Sequence, residues 1–545
     1  MNYLNDLQVL VLGLGESGLA MARWCAGCGA QVRVWDSRED APNALALAEL
    51  VPAAELLRGA LTDAAFAGVK LVLKSPGLSP LDARIAAPLA RAADMGVLVQ
   101  GELDLFARAL ADLKLDRGYV PKLLAITGTN GKTTTTAMTA MLVARTGKRV
   151  AMAGNIGPTM LQTLADALVL EPLVPVPPEP SAVEVTPDSD PFPPAKAPTF
   201  ANLPEVWVLE LSSFQLDDVK GFEPSAATVL NITQDHLDWH GTMDAYAQAK
   251  ASIFAPGTVR VINRDDARVT AMDDATVPSV RFGLDAPVRA GDFGVGRDLD
   301  DAEGLRWIAL AEGGDPEAEA RGVVPGKTFG KRRGSKPLTA VPDSDTRIKR
   351  LMPVDALKIR GDHNVANVLA GLALGRAIGL SMAAMLRAAG GYRGEPHRVA
   401  FVLERVGVDW IEDSKGTNVG ATVAALQGLG RKVVLIAGGL GKGQDFTPLA
   451  APVAKHARAV LLIGRDKAIL RAALASTGVA LFDCETLDQA VDEAAELAEP
   501  GDAVLLSPAC ASLDMFRDYE ERADVFVAAV HRIDQGIATI EGATC

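Results

Sequence analysis

The stretch KLLAITGTNGKTTTTAMTAMLVART, residues 122–146, combines a short apolar strand, a glycine turn and an amphipathic helix. Leu123 to Ile126 are apolar, Gly128-Thr129-Asn130-Gly131 form the turn, and Lys132-Thr133-Thr134 open the helical run. Backbone N–H groups at such a helix start, together with a lysine, attract a phosphate group. Residue 126 is isoleucine where the strict phosphate-loop pattern has glycine, so this is a shortened variant. The stretch predicts a nucleotide-binding α/β domain.

Length and composition narrow the class of protein. A chain of 545 residues predicts three or four domains at roughly 150 residues each. The residues are 49% hydrophobic and 5% aromatic, which is typical of an α/β protein, and the net charge of −14 argues against nucleic acid as the main partner. The polar start, the absence of an apolar run near ~20 residues and five cysteines indicate a soluble protein of the cytoplasm, without membrane insertion.

The N-terminal region carries a dinucleotide fingerprint. Strand Val9–Leu12 leads into Gly13-Leu14-Gly15-Glu16-Ser17-Gly18 and a helix, and a second strand ends in Asp36. Taken alone, this pattern favours NAD, with the acid holding a ribose. Ser37 and Arg38 follow the acid and could hold a second anionic group, so another nucleotide diphosphate is equally compatible. A further strand, from Val72, runs into a Pro-Gly turn at Gly77, at the edge where such sheets bind ligands.

Two segments look irregular. Residues 172–204 hold 11 of the 32 prolines, and we expect them to be a mobile excursion without a core. Residues 292–350 contain acidic and basic runs with several glycines, and only Trp307–Leu310 suggests a strand there. We assign no chemistry to either segment.

Three side chains in the middle of the chain are candidates for metal chemistry. Strand Val206–Glu210 ends in an acid, at the position where phosphate-loop proteins hold Mg²⁺; a salt bridge is the alternative. His236 and His240 have the spacing of a zinc pair, but Leu237 replaces the glutamate of a metalloprotease, so we place His236 near phosphates and His240 at the surface. Lys250 closes a helix, and considered alone it is more simply a solvated lysine.

The C-terminal part, from about Pro396, alternates strands and helices and predicts a second doubly wound sheet. Polar loops follow its strands: residues 413–418 (DSKGTN), 438–443 (GGLGKG) and 507–512 (SPACAS). In an open α/β sheet these strand ends form one crevice. The lysines in these loops suit an anionic co-substrate.

Ten motifs occur in the order typical of one enzyme family: GTNGKTTT, GNIG, ELSSFQL, NITQDHLDWHG, AYAQAK, GDHNVANVLA, PHR, DSKGTN, GGLGKG and SPACASLD. Their order resembles that of the Mur ligase family along almost the whole chain, leaving out the two irregular segments. The resemblance implies an α/β protein with three domains: an N-terminal Rossmann-like sheet, a central P-loop ATPase sheet and a C-terminal Rossmann-like sheet. Their predicted bounds are residues 1–108, 109–395 and 396–545.

The resemblance also implies three binding sites. The N-terminal domain would bind a uridine nucleotide rather than NAD, through Gly15, Glu16, Ser17, Asp36, Ser37, Arg38 and Gly77, and Asn155 of the GNIG motif would contact the muramoyl group. ATP would contact Gly128, Thr129, Asn130, Gly131, Lys132, Thr133, Thr134, Asn367, Arg398 and Asp413. D-glutamate would contact Lys415, Thr417, Lys442, Ser512 and Tyr519, the last replacing the phenylalanine usual in the family.

The resemblance implies metal ligands and catalytic groups that overlap: the metal ligands are Thr133, Glu210, His236 and Lys250, and the catalytic residues are Lys132, Glu210, His236 and Lys250. By the resemblance, Thr133 and Glu210 hold one Mg²⁺, and His236 and Lys250 hold a second. The family carries this lysine as a carbamate. Addition of CO₂ turns the cationic side chain into an anionic oxygen ligand, which suits Mg²⁺.

The resemblance implies ATP-dependent addition of D-glutamate to UDP-N-acetylmuramoyl-L-alanine through an acyl phosphate, a step of peptidoglycan synthesis. We expect a monomer. One alternative is a relative that adds a different amino acid, although the Asp-Asn-Pro-Arg sequence typical of the diaminopimelate-adding enzyme does not occur here. Another is a non-catalytic nucleotide-binding protein, against which the presence of Lys132, Glu210, His236 and Lys250 argues.

Overall fold

The computed structural model describes residues 2–172, 200–297, 304–313, 346–359 and 361–536. The chain forms two compact units. The first comprises Met1–Ile126, Val143–Ala227 and Ala249–Thr258, and the second comprises Thr127–Leu142, Thr228–Gln248 and Val259–Cys545.

The first unit begins with a parallel sheet of five strands in the order β3-β2-β1-β4-β5. Its strands are β1 (Gln8–Leu12), β2 (Gln31–Asp36), β3 (Glu55–Arg58), β4 (Leu71–Lys74) and β5 (Leu98–Gln100). Residues 9–12 of β1 are fully buried, as expected for a strand with both faces covered. The C-terminal ends of β1, β2 and β4 therefore meet at one edge, where the predicted uridine-nucleotide residues lie.

The middle of the chain supplies strands to both units. In the first unit, β6 (Lys122–Thr127), β7 (Val150–Gly154) and β8 (Val206–Glu210) are parallel, with β8 between the other two. In the second unit, parallel strands β10 (Val259–Asn263) and β11 (Ser279–Phe282) continue into β12 (Phe293–Arg297), and β13 (Arg306–Glu312) and β14 (Arg347–Pro353) complete this part with antiparallel pairing.

Strand β9 is Ala226–Val229, and it ends two residues before Asn231. Asn231 binds the glycine turn: its carbonyl accepts from Thr129 N at 2.9 Å, and its side-chain oxygen accepts from Asn130 N at 2.8 Å. A tertiary contact thus ends the strand.

The second unit closes with a six-stranded sheet in the order β15-β16-β20-β17-β18-β19. The strands are β15 (Ala400–Arg405), β16 (Val408–Glu412), β17 (Val433–Gly438), β18 (Ala457–Ile463), β19 (Ala480–Asp483) and β20 (Ala503–Leu506). All neighbours are parallel except β15 and β16. Apolar clusters cover the sheet on both sides, which confirms the predicted doubly wound arrangement.

The α-helices connect these strands. In chain order they are Glu16–Gly27, Ala44–Leu50, Ala86–Asp94, Glu102–Arg117, Lys132–Ala144, Met160–Leu170, Ser213–Leu216, Leu237–His240, Met243–Ala251, Ala267–Thr270, Asp362–Ala377, Met382–Ala389, Val419–Gly428, Ala450–His456, Lys467–Leu474, Leu487–Leu497 and Tyr519–Asp534. Within the described ranges, none of them combines the length and apolar character needed to cross a membrane.

The two segments predicted to be irregular are partly ordered. Strands β12, β13 and part of β14 lie within residues 292–350, and β13 contains the predicted strand Trp307–Leu310. Their charged neighbours, residues 298–303 and 314–345, lie outside the described residues, and these charges masked the strand pattern in the sequence. At the end of the proline-rich segment, the carboxylate of Glu171 accepts N–H bonds from Ala201, Asn202 and Leu203, and Leu203 is fully buried. Residues 173–199 lie outside the described part.

Candidate functional site

The glycine turn of the phosphate loop closes around its own lysine. Lys132 Nζ donates to the carbonyl oxygens of Gly128 at 3.0 Å and Thr129 at 2.9 Å. A Cβ at Gly131, where φ is +82°, would lie 2.6 Å from Asn367 Oδ1. The positive φ therefore favours glycine at this position, and any side chain there would also require Asn367 to move.

A cavity of about 830 Å³ lies within the second unit beside this turn. This volume suits a ligand of nucleotide size. Six of the ten residues predicted to contact ATP line it: Asn130, Gly131, Thr134, Asn367, Arg398 and Asp413. Arg398 Nη2 also donates to Thr133 Oγ1 at 2.9 Å. The structure thus brings the predicted ATP residues of the phosphate loop together with those that follow more than two hundred residues later.

Asp413 is a buried acid in this cavity. Its carboxylate accepts from Ser507 Oγ at 2.7 Å and from Val399 N at 3.2 Å. Burial raises its pKa to about 7, because the bond from Ser507 and the charge of Arg398 offset the desolvation only in part. This carboxyl group can therefore change its charge near neutral pH.

In the first unit, Glu210 is the last residue of β8, and only one of its two carboxylate oxygens accepts a hydrogen bond from a described residue. Its Oε1 accepts from Asn155 Nδ2 at 2.8 Å, and its main-chain oxygen accepts from Asn155 N at 2.8 Å. Its Oε2 is buried and makes no hydrogen bond to any described residue. A bare carboxylate oxygen fits a divalent cation, and the alternative of a salt bridge finds no support in the described part of the chain.

Lys250 lies in the last turn of the helix Met243–Ala251 and is only 1% exposed. The interpretation as a solvated lysine is therefore wrong. Burying an ammonium group is costly unless it is paired or chemically changed. Its burial is compatible with the expected carbamate.

The two histidines occupy different environments. His236 has φ +52° and precedes the short helix Leu237–His240, and its Nε2 lies 3.6 Å from Asp235 Oδ2. His240 is partly exposed, which is compatible with its predicted surface position, and its ring centroid lies 4.4 Å from that of Trp239 and 5.3 Å from that of Tyr246. Among the described residues, no group of three or more His, Cys, Asp or Glu side chains could hold a metal ion.

A second cavity, of about 470 Å³, lies within the first unit at the edge of the N-terminal sheet. All seven residues predicted to hold the uridine nucleotide in this region line it: Gly15, Glu16, Ser17, Asp36, Ser37, Arg38 and Gly77. The glycine turn after β1 and the acid at the end of β2, which the fingerprint predicts to act together, thus line one cavity.

Asp36 is buried at the end of β2, and its carboxylate is already fully used. Oδ2 accepts from Leu14 N and Arg38 Nη2, both at 2.8 Å, and Oδ1 accepts from Arg38 Nε at 2.9 Å and Arg38 N at 3.0 Å. The bond to Arg38 holds the pKa of Asp36 well below its usual range. With four bonds on two oxygens, the acid fixes the glycine turn and Arg38 and is not available to a ribose. This disfavours the NAD interpretation.

Four of the five residues predicted to contact D-glutamate lie on three loops of the second unit, and the fifth, Tyr519, begins the helix Tyr519–Asp534. Lys415 Nζ is 4.9 Å from the centroid of the Tyr519 ring, and Thr417 N donates to Lys415 O at 2.9 Å. The loop of Lys442 joins that of the buried Ser512 through two 2.9 Å bonds between Leu440 and Ala511.

Sequence reasoning missed the side chains that hold these loops. Arg522 is 1% exposed, and it donates to Ser414 Oγ at 2.9 Å, to Ser414 O at 2.6 Å and to Cys510 O at 3.1 Å. Burial lowers its pKa to about 10. Gln444 accepts from Val419 N at 3.0 Å and donates to Ala509 O at 2.8 Å. Their only sequence signal is a position close to the motifs.

Comparisons with known proteins agree with this arrangement. Three family models match the chain: Mur ligase MurD-like, N-terminal domain, over residues 7–101; Mur ligase middle domain, over residues 126–301; and Mur ligase, glutamate ligase domain, over residues 397–510. The chain therefore belongs to the Mur ligase family, and the predicted α/β fold with three such domains is confirmed. The exact domain bounds stay predictions.

Two curated relatives carry one name, UDP-N-acetylmuramoylalanine--D-glutamate ligase. The chain is 53% identical to that of Ralstonia nicotianae over 97% of this chain and 98% of the relative, and 54% identical to that of Burkholderia cenocepacia over 98% of each. Among solved structures, the MurF ligase of Thermotoga maritima in complex with ADP is similar with a TM-score of 0.54 at 14% identity, over 99% of this chain and 100% of that chain. UDP-N-acetylmuramate-alanine ligase MurC of the same organism gives 0.52 at 19% identity, over 97% and 100%. These structures share the fold.

Proposed function

We propose that the protein is an ATP-dependent ligase that joins D-glutamate to UDP-N-acetylmuramoyl-L-alanine and releases ADP and phosphate. The observation that carries this proposal is the identity of 53–54% with ligases of that name over nearly the whole of both chains. The two nucleotide-sized cavities support it, since the reaction needs two nucleotides. We assign the reaction to the cytoplasm, and we propose that the enzyme acts as a monomer.

The cavity beside the phosphate loop is assigned to ATP. Gly128 to Thr134 would hold its phosphates through backbone N–H groups, and Lys132, which now bonds to loop carbonyls, would turn to them. Asn367, Arg398 and Asp413 line the remainder of the cavity and would hold the nucleoside. The loops of Lys415, Thr417, Lys442, Ser512 and Tyr519 are assigned to D-glutamate, since lysines suit its carboxylates.

Two Mg²⁺ ions are part of the proposal, with Thr133, Glu210, His236 and a carbamylated Lys250 as ligands. The bare Oε2 of Glu210 and the burial of Lys250 support it. Bound Mg²⁺ would neutralise phosphate charge. Asn155, which donates to the other oxygen of Glu210, would orient that carboxylate and contact the muramoyl substrate.

The reaction is a phosphoryl transfer followed by an acyl transfer. The alanyl carboxylate of the substrate attacks the γ-phosphate of ATP, which gives an acyl phosphate and ADP. Both groups are anionic, so repulsion dominates the barrier, and the ammonium of Lys132 reduces it by stabilising charge in the transition state. The D-glutamate amine then attacks the acyl carbon, and phosphate leaves.

Phosphate release from ATP with UDP-N-acetylmuramoyl-L-alanine tests the proposal, with D-glutamate compared with L-glutamate, L-alanine and diaminopimelate. We expect release that depends on D-glutamate. Lys132→Ala should reduce it by on the order of 10²–10³-fold, the usual effect of losing one transition-state donor. Lys148→Ala is the matched control, because Lys148 is a surface lysine bonded to Glu205.

The outcomes separate the alternatives. Release with a different amino acid would keep the mechanism but change the substrate. ATP binding without release in any mixture would favour a non-catalytic nucleotide-binding protein. Full activity of Lys132→Ala would overturn the mechanism.

A further inference from the structure

Asn418 joins the loop of residues 413–418, which we assign to D-glutamate, to the glycine turn of the phosphate loop. Its Nδ2 donates to Asn130 Oδ1 at 3.0 Å and lies 3.5 Å from Asp235 Oδ2. All of these residues belong to the second unit, and Asn130 lines the cavity assigned to ATP. Asn418 is only 6% exposed, so the contact is shielded from water. Two sites that the reaction must bring together thus share one buried contact.

The side chain of Asn418 does more than cap a helix. Its Oδ1 accepts from Ala421 N at 2.9 Å, which caps the helix Val419–Gly428. Serine, threonine and aspartate also cap helices through an oxygen. Asparagine alone among these residues carries an NH2 group beside the capping oxygen. The cap therefore accounts for the oxygen of Asn418, and the bond to Asn130 accounts for its nitrogen.

The start of this helix is packed closely against the glycine turn. A Cβ at Gly420 would lie 2.9 Å from Asn130 Nδ2, so any side chain there would require Asn130 to move. Gln444 binds the same helix start to a second loop assigned to D-glutamate, because it accepts from Val419 N at 3.0 Å and donates to Ala509 O at 2.8 Å. The D-glutamate loops and the glycine turn therefore meet at the start of this helix.

The glycine turn has its own support, which does not depend on Asn418. Asn231 Oδ1 accepts from Asn130 N at 2.8 Å, and Asn231 Nδ2 donates to Asn130 O at 3.1 Å. Both main-chain polar groups of Asn130 are thus held by another residue. Loss of the Asn418 amide should therefore release the loop of residues 413–418 and leave the phosphate-binding turn in place.

We propose that Asn418 is a positioning residue for the second step of the reaction, in which the D-glutamate amine attacks the acyl phosphate. Thr417, a predicted contact of D-glutamate, directly precedes Asn418, and the γ-phosphate is assigned to the glycine turn. In this step the nitrogen bonds to the acyl carbon, the C–O bond to phosphate breaks, and the amine proton passes to water. The reacting atoms must approach to about 3–3.5 Å, and a displacement of ~1 Å can slow such a step by about 10²-fold. This inference rests on the proposed function.

Single-turnover kinetics of the full-length protein separates the two steps. The protein, in excess over UDP-N-acetylmuramoyl-L-alanine, is mixed with ATP, Mg²⁺ and saturating D-glutamate, and ADP and the amide product are measured in the same samples. We expect Asn418→Ser to form ADP at the rate of the unaltered protein and to form the amide about ten-fold more slowly. Its melting temperature should change little, because serine keeps an oxygen for the helix cap.

A second variant tests the donor directly. Asn418→Asp keeps the shape and the capping oxygen, but it places an oxygen against Asn130 Oδ1 in place of the NH2 group. The same delay of the amide behind ADP should appear. ADP in excess of the amide at the end of the reaction would also support the inference, because water then attacks acyl phosphate that has not reacted with the amine.

Thr486→Ala is the control for the loss of a helix cap alone. Thr486 accepts from Gln489 N at 3.1 Å at the start of the helix Leu487–Leu497 and does not line the ATP cavity. This variant should have a lower melting temperature, with amide formation keeping pace with ADP as in the unaltered protein.

Two outcomes would overturn the inference and leave the proposed function intact. One is equal slowing of ADP and amide formation in Asn418→Ser and Asn418→Asp, which would indicate a general loss of structure or a role in the first step. The other is unchanged formation of both products. If the unaltered protein formed no amide with D-glutamate, the proposed function itself would fail.

Discussion

The buried carboxyl group of Asp413 should make the stability of the protein depend on pH. Because its pKa is raised from 3.8 to about 7, the folded protein binds a proton that the unfolded chain releases between these pH values. The contribution of Asp413 therefore lowers the free energy of unfolding as pH rises from about 4 to 7, by about 4 kcal/mol at most. Asp413→Asn stays neutral and should remove this fall.

Thermal unfolding of the ligand-free protein at pH 5 and pH 8 measures this effect. Asp409→Asn serves as the control, since Asp409 lines the same cavity but is partly exposed and pairs with Arg431. An Asp413→Asn protein that loses as much stability between the two pH values as the control would contradict the prediction.

Lys250 provides a second test at the scale of one residue. Lys250→Ala should reduce ligase activity by on the order of 10²–10³-fold if an anionic oxygen of the carbamate acts in catalysis. Acetate or another short carboxylic acid should then restore part of the activity, because it can replace the missing oxygen ligand. Lys132→Ala, which lacks a cation instead, should not respond. Absence of rescue in Lys250→Ala would count against the carbamate.

At the scale of elements, the helix Tyr519–Asp534 holds two of the loops that we assign to D-glutamate, through bonds from Arg522 to Ser414 and Cys510. Arg522→Met removes three bonds and leaves the carbonyls of Ser414 and Cys510 without this donor. Buried polar groups that lose their partners cost about 1–3 kcal/mol each, so we expect a lower melting temperature. We also expect a KM for D-glutamate raised about ten-fold, with a smaller change in the KM for ATP.

Arg532→Met is the control for this prediction, because Arg532 lies on the same helix and pairs with Asp488 and Asp492 away from the loops. Steady-state kinetics and thermal unfolding of both variants are the measurements. Equal changes in the two KM values would indicate a general loss of structure rather than an effect on the D-glutamate loops.

At the scale of the whole molecule, removal of the metal should stop the reaction of ATP and leave the binding of UDP unchanged. Excess EDTA should abolish ADP formation, because the charge of Mg²⁺ then no longer offsets the repulsion between carboxylate and phosphate and the bare oxygen of Glu210 has no cation. UDP binding should persist, since none of the predicted Mg²⁺ ligands lines the N-terminal cavity. Parallel assays of ADP formation and UDP titration, with Mg²⁺ added back, would check this. A large loss of UDP affinity in EDTA would show that the metal also acts there.

The features that depend on neighbours in sequence were predictable. The glycine turn before Lys132, the acid at the end of β8 and the sheet of the N-terminal domain follow from local spacing and strand patterns, because the chain itself sets these distances. The same local signals indicated the centre of β13 but missed β12 and β14, where charged runs obscured the strand pattern.

Only the tertiary structure decided burial and contacts between distant residues. Lys250 could be solvated or buried until packing placed it at 1% exposure. Arg398 and Thr133 are separated by 265 positions, and Arg522 and Ser414 by 108. Such pairs meet because sheets and helices bring separate loops to one edge, and no spacing along the chain encodes a distance across it. The motifs therefore determined which chemistry the protein carries, and the packed fold determined which side chains hold that chemistry in place.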